Sequence, residues 1–168
     1  MLLFLLFGCI QEPKIEVDTG QCEASVTDVA KGLTIEQYEV SETIEEELTQ
    51  LEIPQNIIAA AIVNAIAESS LNPDAIGDGG KAVGAFQLHK KGLGKNLSVD
   101  DRRNIYTNTN VIGIQILKND KLFALNENGE EIPELSAVFA EEIMKPANIE
   151  DRKEERRKIA NKIFPKRL

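Results

Sequence analysis

A chain of 168 residues with 42% apolar and 28% charged side chains has the make-up of one soluble globular domain, large enough to bury a real core. Those proportions exclude a disordered chain, and a net charge of -9 speaks against nucleic acid as the main partner, since that needs a basic surface. The charge is uneven, with acids dominating Glu12 to Glu52 and Arg and Lys dominating Arg152 to Arg167. The plain reading of that basic end is a solvated helix face; the functional one is docking onto an anionic polymer or a partner.

Residues 1–9, "MLLFLLFGC", are too few for a transmembrane helix, which needs about 20 apolar residues, and read as the apolar part of an export signal. The run "LFGC" also resembles the bacterial lipoprotein signal, in which the cysteine is lipidated and becomes the new N-terminus. Cys9 is then the lipidation candidate and would anchor the chain to a membrane. Phe7 is bulky for that pattern, and the usual positive stretch before the apolar run is missing. Cys22 offers a competing use, a Cys9–Cys22 disulfide in an oxidising compartment. One His and two distant Cys cannot supply a ligand set, so neither a metal nor a cofactor is expected.

Residues 10–30 carry few large apolar side chains and read as a linker, leaving 31–168 as the domain proper. In "TIEQYEVSETIEEELTQLEI", Ile44, Leu48 and Leu51 fall at helical spacing with acids on the other face. Pro54 suits the first turn of the next helix. That helix, "PQNIIAAAIVNAIAES", is apolar nearly all round, which predicts a central buried position and a stop at Asn72-Pro73. From Asp74 to Gly94 the glycines are too dense for a helix, and short extended or hairpin segments are expected around Val83 to Leu88. Ser98 and Asp101 mark a helix start leading into "DDRRNIYTNTNVIGIQILKND". Pro133 opens "PELSAVFAEEIMK", and Asn148 stands where it could cap a last helix that Pro165 ends. The expected fold is mainly α, a helical domain with a small β-hairpin or loop region directly after its central helix.

Glu68 stands in the last turn of that central helix, where burial and the negative end of the helix dipole would both raise its pKa. A carboxyl still protonated near neutral pH can give a proton to a leaving group. The competing reading is a Glu facing water at a frayed helix end. Asp78, in "GDGG", can be a turn residue and no more. The segment matches neither a dinucleotide loop nor a phosphate loop. Ser69 and Ser70 have no recognisable triad, and Asp74 and Asp78 lack calcium-loop spacing. Acid chemistry with a polar Gln87 beside it is what remains.

The stretch "ESSLNPDAI…GKAVGAFQLH" resembles the lysozyme-like superfamily of lytic transglycosylases and goose-type lysozymes, most closely their phage and phage-derived wall-degrading members. The likeness extends through "KKGLGKNL", "DDRRNI" and "FAEEIMKPAN", from about Glu45 to Asn148. It implies an α+β lysozyme-like fold that cleaves peptidoglycan between N-acetylmuramic acid and N-acetylglucosamine, in a cell envelope or a virion. On that resemblance Glu68 is the general acid, Ser69 helps hold it or the sugar, and Gln87 bonds the substrate near the scissile link. Asp78 matches the goose-type "GD-x-G-x-x-x-G-x-x-Q" pattern, in which the Asp positions water. His89 stands where those lysozymes carry a second Asp, which moves weight from hydrolysis to the transglycosylase route. There the substrate's own N-acetyl and 6-hydroxyl groups replace the second carboxylate and the water. The transglycosylase "YNAG" segment is absent, so Tyr106 is the candidate for its tyrosine. His89 and Tyr106 join Ser69 and Gln87 as expected substrate contacts.

Two alternatives stand beside that reading: a hydrolytic muramidase, and a degenerate member that binds glycan without cutting it. An interaction protein that uses its acidic helix and basic tail is a third. The chain has no Trp for a sugar platform. Phe86, Tyr106 and Phe139 could serve, although each also suits a core.

Overall fold

The computed structural model describes residues 32–165; the expected signal and linker, with Cys9 and Cys22, lie outside the described residues. Within this range the fold is mainly α, with seven α-helices and one small antiparallel sheet. No described helix is long and apolar enough to cross a membrane.

Helix α1 (Ile35–Gln50) begins at a capping box, in which the Thr34 hydroxyl takes the Gln37 amide and the Gln37 side chain returns the bond. Its Ile44 and Leu48 are fully buried. Helix α2 (Gln55–Ser69) is the centre of the molecule, and every residue from Ile57 to Ala65 is buried. Burying each of Ile57, Ile58 and Ile62 contributes about 1.5–3 kcal/mol, while its alanines let neighbours approach closely. Pro54 is the cap residue itself, one place before the expected first turn.

The end of α2 comes earlier than Asn72-Pro73. Ser70 and Leu71 both take left-handed backbone angles, with φ of 57° and 59°. Leu71 is 1% exposed and sits in the core, so its burial offsets a conformation that is costly for a bulky side chain. Gln37 of α1 donates to the Ser70 carbonyl at 3.0 Å and fixes the turn from outside.

The sheet follows directly: β1 (Ile76–Gly77), β2 (Ala82–Val83) and β3 (Leu88–His89), joined as an antiparallel meander. Gly77 pairs with Ala82, which pairs with His89, so the three lie in one row. Helix α3 (Val99–Arg103) opens at the expected Ser98–Asp101 capping box. The chain then breaks, because Asn104 adopts extended angles and uses its side chain to cap α4 (Ile105–Ile116). Asn119 caps a further helix, α5 (Asp120–Glu127), which lies past the segment expected from Ser98 to Asp120.

Helix α6 (Ile132–Phe139) runs into a π-helical segment, Ala140–Met144, that ends at Lys145 in the left-handed region. Helix α7 (Ile149–Ile163) closes the described chain. Asn148 precedes it with φ 55° and makes no side-chain cap, contrary to expectation. Helix α2 packs against α1, α5, α6 and α7, and α4 lies on α1.

Candidate active site

Glu68 does not face water at a frayed end. Its side chain is 21% exposed, and Oε1 accepts a 2.5 Å hydrogen bond from Nη2 of Arg156 on α7, a side chain with no exposure at all. The guanidinium is itself held on two other sides. Its Nε donates to Asn64 Oδ1 at 3.0 Å, and its Nη1 donates to Glu155 at 2.8 Å. Asn64 precedes Glu68 by one turn of α2 and anchors the far end of the network, donating to the Ala60 and Ser136 carbonyls. Each nitrogen of the buried cation thus makes a hydrogen bond, and two carboxylates lie beside it, as a charge removed from water requires. Burial pulls the Arg156 guanidinium below its ordinary value, while Glu68 and Glu155 act in the opposite sense. Glu68 Oε2 has no hydrogen-bond partner among the described residues.

Arg156 is the residue that sequence reasoning missed. It belongs to the basic end that reads as a solvated face, and most of its neighbours there are indeed exposed and ion-paired. A signal was present: Ile149, Lys153, Arg156, Ala160 and Ile163 recur at helical spacing and form the covered side of α7.

Ser69 stitches the end of α2 to the sheet region. Its hydroxyl lies 2.8 Å from the Ala85 carbonyl and 3.2 Å from the Ala65 carbonyl, and it accepts the Asn72 amide. Gln87, two residues beyond Ala85, sits at φ 47° and donates both amide hydrogens inward, to the carbonyls of Ala75 and Gly84. A Cβ on Gly77 would run into Gln87 Oε1, so the glycine makes room for that side chain. Gly84, at φ 89°, lies against the Arg102 carbonyl and the Asn108 amide. Buried Asn108 accepts from Phe86 N at 3.0 Å and donates to the Arg102 and Val83 carbonyls. Arg102 in turn donates to the Lys81 and Leu88 carbonyls. The loop that carries Gln87 is therefore clamped from beneath by α3 and α4.

Asp78 and His89 meet across the sheet. Asp78 follows Gly77 in the row that ends at His89, and His89 Nε2 lies 3.0 Å from Asp78 Oδ2. His89 Nδ1 accepts from Lys91 N, so in the neutral ring Nε2 carries the proton and donates it to Asp78. Lys81 lies 3.5 Å from the other oxygen. The His89 hydrogen bond, followed by the Lys81 charge, holds the Asp78 carboxyl below the usual aspartate range.

Gln87 and His89 line a cleft of about 600 Å³ between β3, the end of α4 and the π-helical segment. Glu68 and Asp78 are not among its lining residues. Phe86 and Phe139 are fully buried and so offer no sugar platform, whereas Tyr106 is 57% exposed. Among the described residues no three His, Cys, Asp or Glu side chains gather where a metal ion could be held. No protein-family model, curated protein or solved structure matches the chain.

Proposed function

We propose that this chain cleaves peptidoglycan glycan strands as a lytic transglycosylase, in a lysozyme-like domain. One observation carries the reading. Glu68 is held through one oxygen by a buried guanidinium whose three nitrogens each make a hydrogen bond, and its other oxygen has no partner among the described residues. The Ser69 bridge to Ala85 ties this carboxyl to the segment carrying Gln87, which is the pairing that the "ESS…GAFQ" resemblance implies.

In this reading a proton on Glu68 Oε2 passes to the oxygen that links N-acetylmuramic acid to N-acetylglucosamine, and the Arg156 guanidinium stabilises the carboxylate left behind. As that bond breaks, the muramic N-acetyl oxygen bonds to C1. The muramic 6-hydroxyl then attacks C1, expels the acetamido oxygen and returns its proton to Glu68, closing a 1,6-anhydro ring. The same carboxyl works as acid and then base, so no proton is lost overall. The state of Asp78 favours this route over hydrolysis: His89 and Lys81 engage its two oxygens, which leaves it poorly placed to hold an attacking water. Export to an envelope, with Cys9 as a lipid anchor, or carriage on a virion would bring such an enzyme to its substrate.

The second reading, a domain that binds glycan without cutting it, draws on the cleft. Gln87 and His89 line it and Glu68 does not. Mass spectrometry of muropeptides released from purified peptidoglycan separates the readings, with the full-length protein and its Glu68→Gln variant run in parallel. Products one water lighter than the reducing form, from wild type alone, are expected. Free reducing ends would mean a muramidase. No products from either protein, with both still sedimenting with the wall, would leave binding alone.

A further inference from the structure

The 600 Å³ cleft has a charge unlike the rest of the molecule. Three lysines line it: Lys91 after β3, Lys118 beyond α4, and Lys145 at the end of the π-helical segment. None of the three lies within ion-pair distance of a carboxylate among the described residues, whereas Lys81, Lys121, Lys153, Lys158, Arg152, Arg156 and Arg157 all do. Lys90 and Lys95, on the loop that forms one wall, are likewise without an acid partner. The one acid in the lining, Glu142, is already bonded to Lys121 at 2.7 Å. Among the described residues of a chain of net charge -9, five of the lysines without an acid partner thus lie in or beside one concavity, with only Lys162 of α7 elsewhere, and field lines from one sign of charge concentrate in such a place.

The walls are also built in a costly way. Gln87 and Lys145, on opposite sides, both hold left-handed backbone angles, and Glu142, Ile143 and Met144 come from the π-helical segment. Such departures persist where the surrounding structure enforces them, and they concentrate at sites that do something. Between the charges lie Leu93, Ile143 and Met144, with Gln115 and Asn119 as neutral polar groups. Apolar walls with a few convergent cations suit a short chain bearing carboxylates.

We propose that this cleft binds the carboxylates of the acidic peptide attached to the muramic acid of the substrate. The proposal rests on the glycan-cleaving reading, in which Gln87 stands beside the scissile link. The anion nearest that link is the peptide on the adjoining lactyl group. Lys91, Lys118 and Lys145 then select strands whose peptides are present and unblocked.

The test is calorimetric titration of the full-length protein with a synthetic stem tetrapeptide and with its fully amidated form. The free acid is expected to bind, and to bind at least about tenfold more weakly once amidated or in high salt. The Lys91→Gln/Lys118→Gln/Lys145→Gln variant is expected to lose about tenfold as well, the sum of three exposed charge contacts, with its thermal midpoint unchanged. Equal binding of acid and amide, an unaffected triple variant, or no binding of the acid peptide would each overturn the proposal. The Glu68→Gln variant keeps the two claims apart. Products from the wall without peptide binding sink the cleft proposal alone. Peptide binding by wild type and Glu68→Gln, without products from either, sinks the cleavage reading alone.

Discussion

Arg156 is the side chain on which the site turns. It is fully buried, and it serves Glu68, Asn64 and Glu155 at once. Arg156→Met keeps much of the volume but removes every one of those donors. It is expected to lower the unfolding free energy by roughly 2–4 kcal/mol in urea titration. Glu68→Gln leaves an amide oxygen to accept from the guanidinium and should cost less, about 1 kcal/mol. If Glu68→Gln proves the costlier of the two, the guanidinium is not the centre of the network. Asp78 makes a prediction of a different kind. A carboxyl held low favours the fold above its unfolded pKa, about 4, and that contribution disappears as pH falls through the folded value. Removing the hydrogen bond in His89→Phe should move the Asp78 titration upward, toward the ordinary range, in a carbon-detected NMR titration. No movement would mean that Lys81 alone sets it. Glu68, Asp78, Gln87 and His89 each stand out in the sequence as individuals, but their partners do not. The link from residue 68 to residue 156 crosses most of the domain, and the link from 78 to 89 depends on a sheet register that two-residue strands barely encode.

Among the elements, α2 was the most legible, since an apolar helix with alanines on several sides can only be central. Its end was not. The proline signal at Pro73 is strong, yet the chain turns at Ser70 because buried Leu71 and the Gln37 bond reward a left-handed pair there. Helices α3 and α4 read as one segment because Asn104 looks like an ordinary polar position until its side chain is seen capping, and α5, capped by Asn119, lies past the end of that segment. The hairpin between α2 and α3 is the element most exposed to a single change. Gly84→Ala would add a Cβ that meets the Arg102 carbonyl and the Asn108 amide at a φ favouring glycine. A loss of at least about 3 kcal/mol is expected. Protection of the Phe86 amide should fall with it in hydrogen exchange, since that amide bonds Asn108. Unchanged protection would show that the hairpin relaxes without releasing its clamp.

At the scale of the whole molecule, one core joins the acidic N-terminal helix to the basic C-terminal one. Residues of α1, α2, the sheet, α4, α5 and α6 share it, and α7 lies over α2 and α6. Unfolding should therefore be a single transition, with far-UV circular dichroism and tyrosine fluorescence giving the same midpoint. Two separate midpoints would divide α6 and α7 from the rest. The bias of charge toward the two ends was plain in the sequence, but its consequence was not. The basic end is largely consumed in ion pairs with Glu134, Glu141, Glu154 and Glu155, and apart from Lys162 the unclaimed lysines among the described residues lie elsewhere.

The bond between residues 68 and 156 also has a direction in time. A ribosome delivers α2 long before α7, and 88 residues separate the acid from its cation. Throughout that interval the nascent chain can bury α2 against α1 but has no guanidinium to present to Glu68. Each copy would emerge with its carboxylate unanswered until α7 docks. If the reading as a wall-cutting enzyme holds, the cell that makes it is shielded from its activity for as long as the chain is still being made.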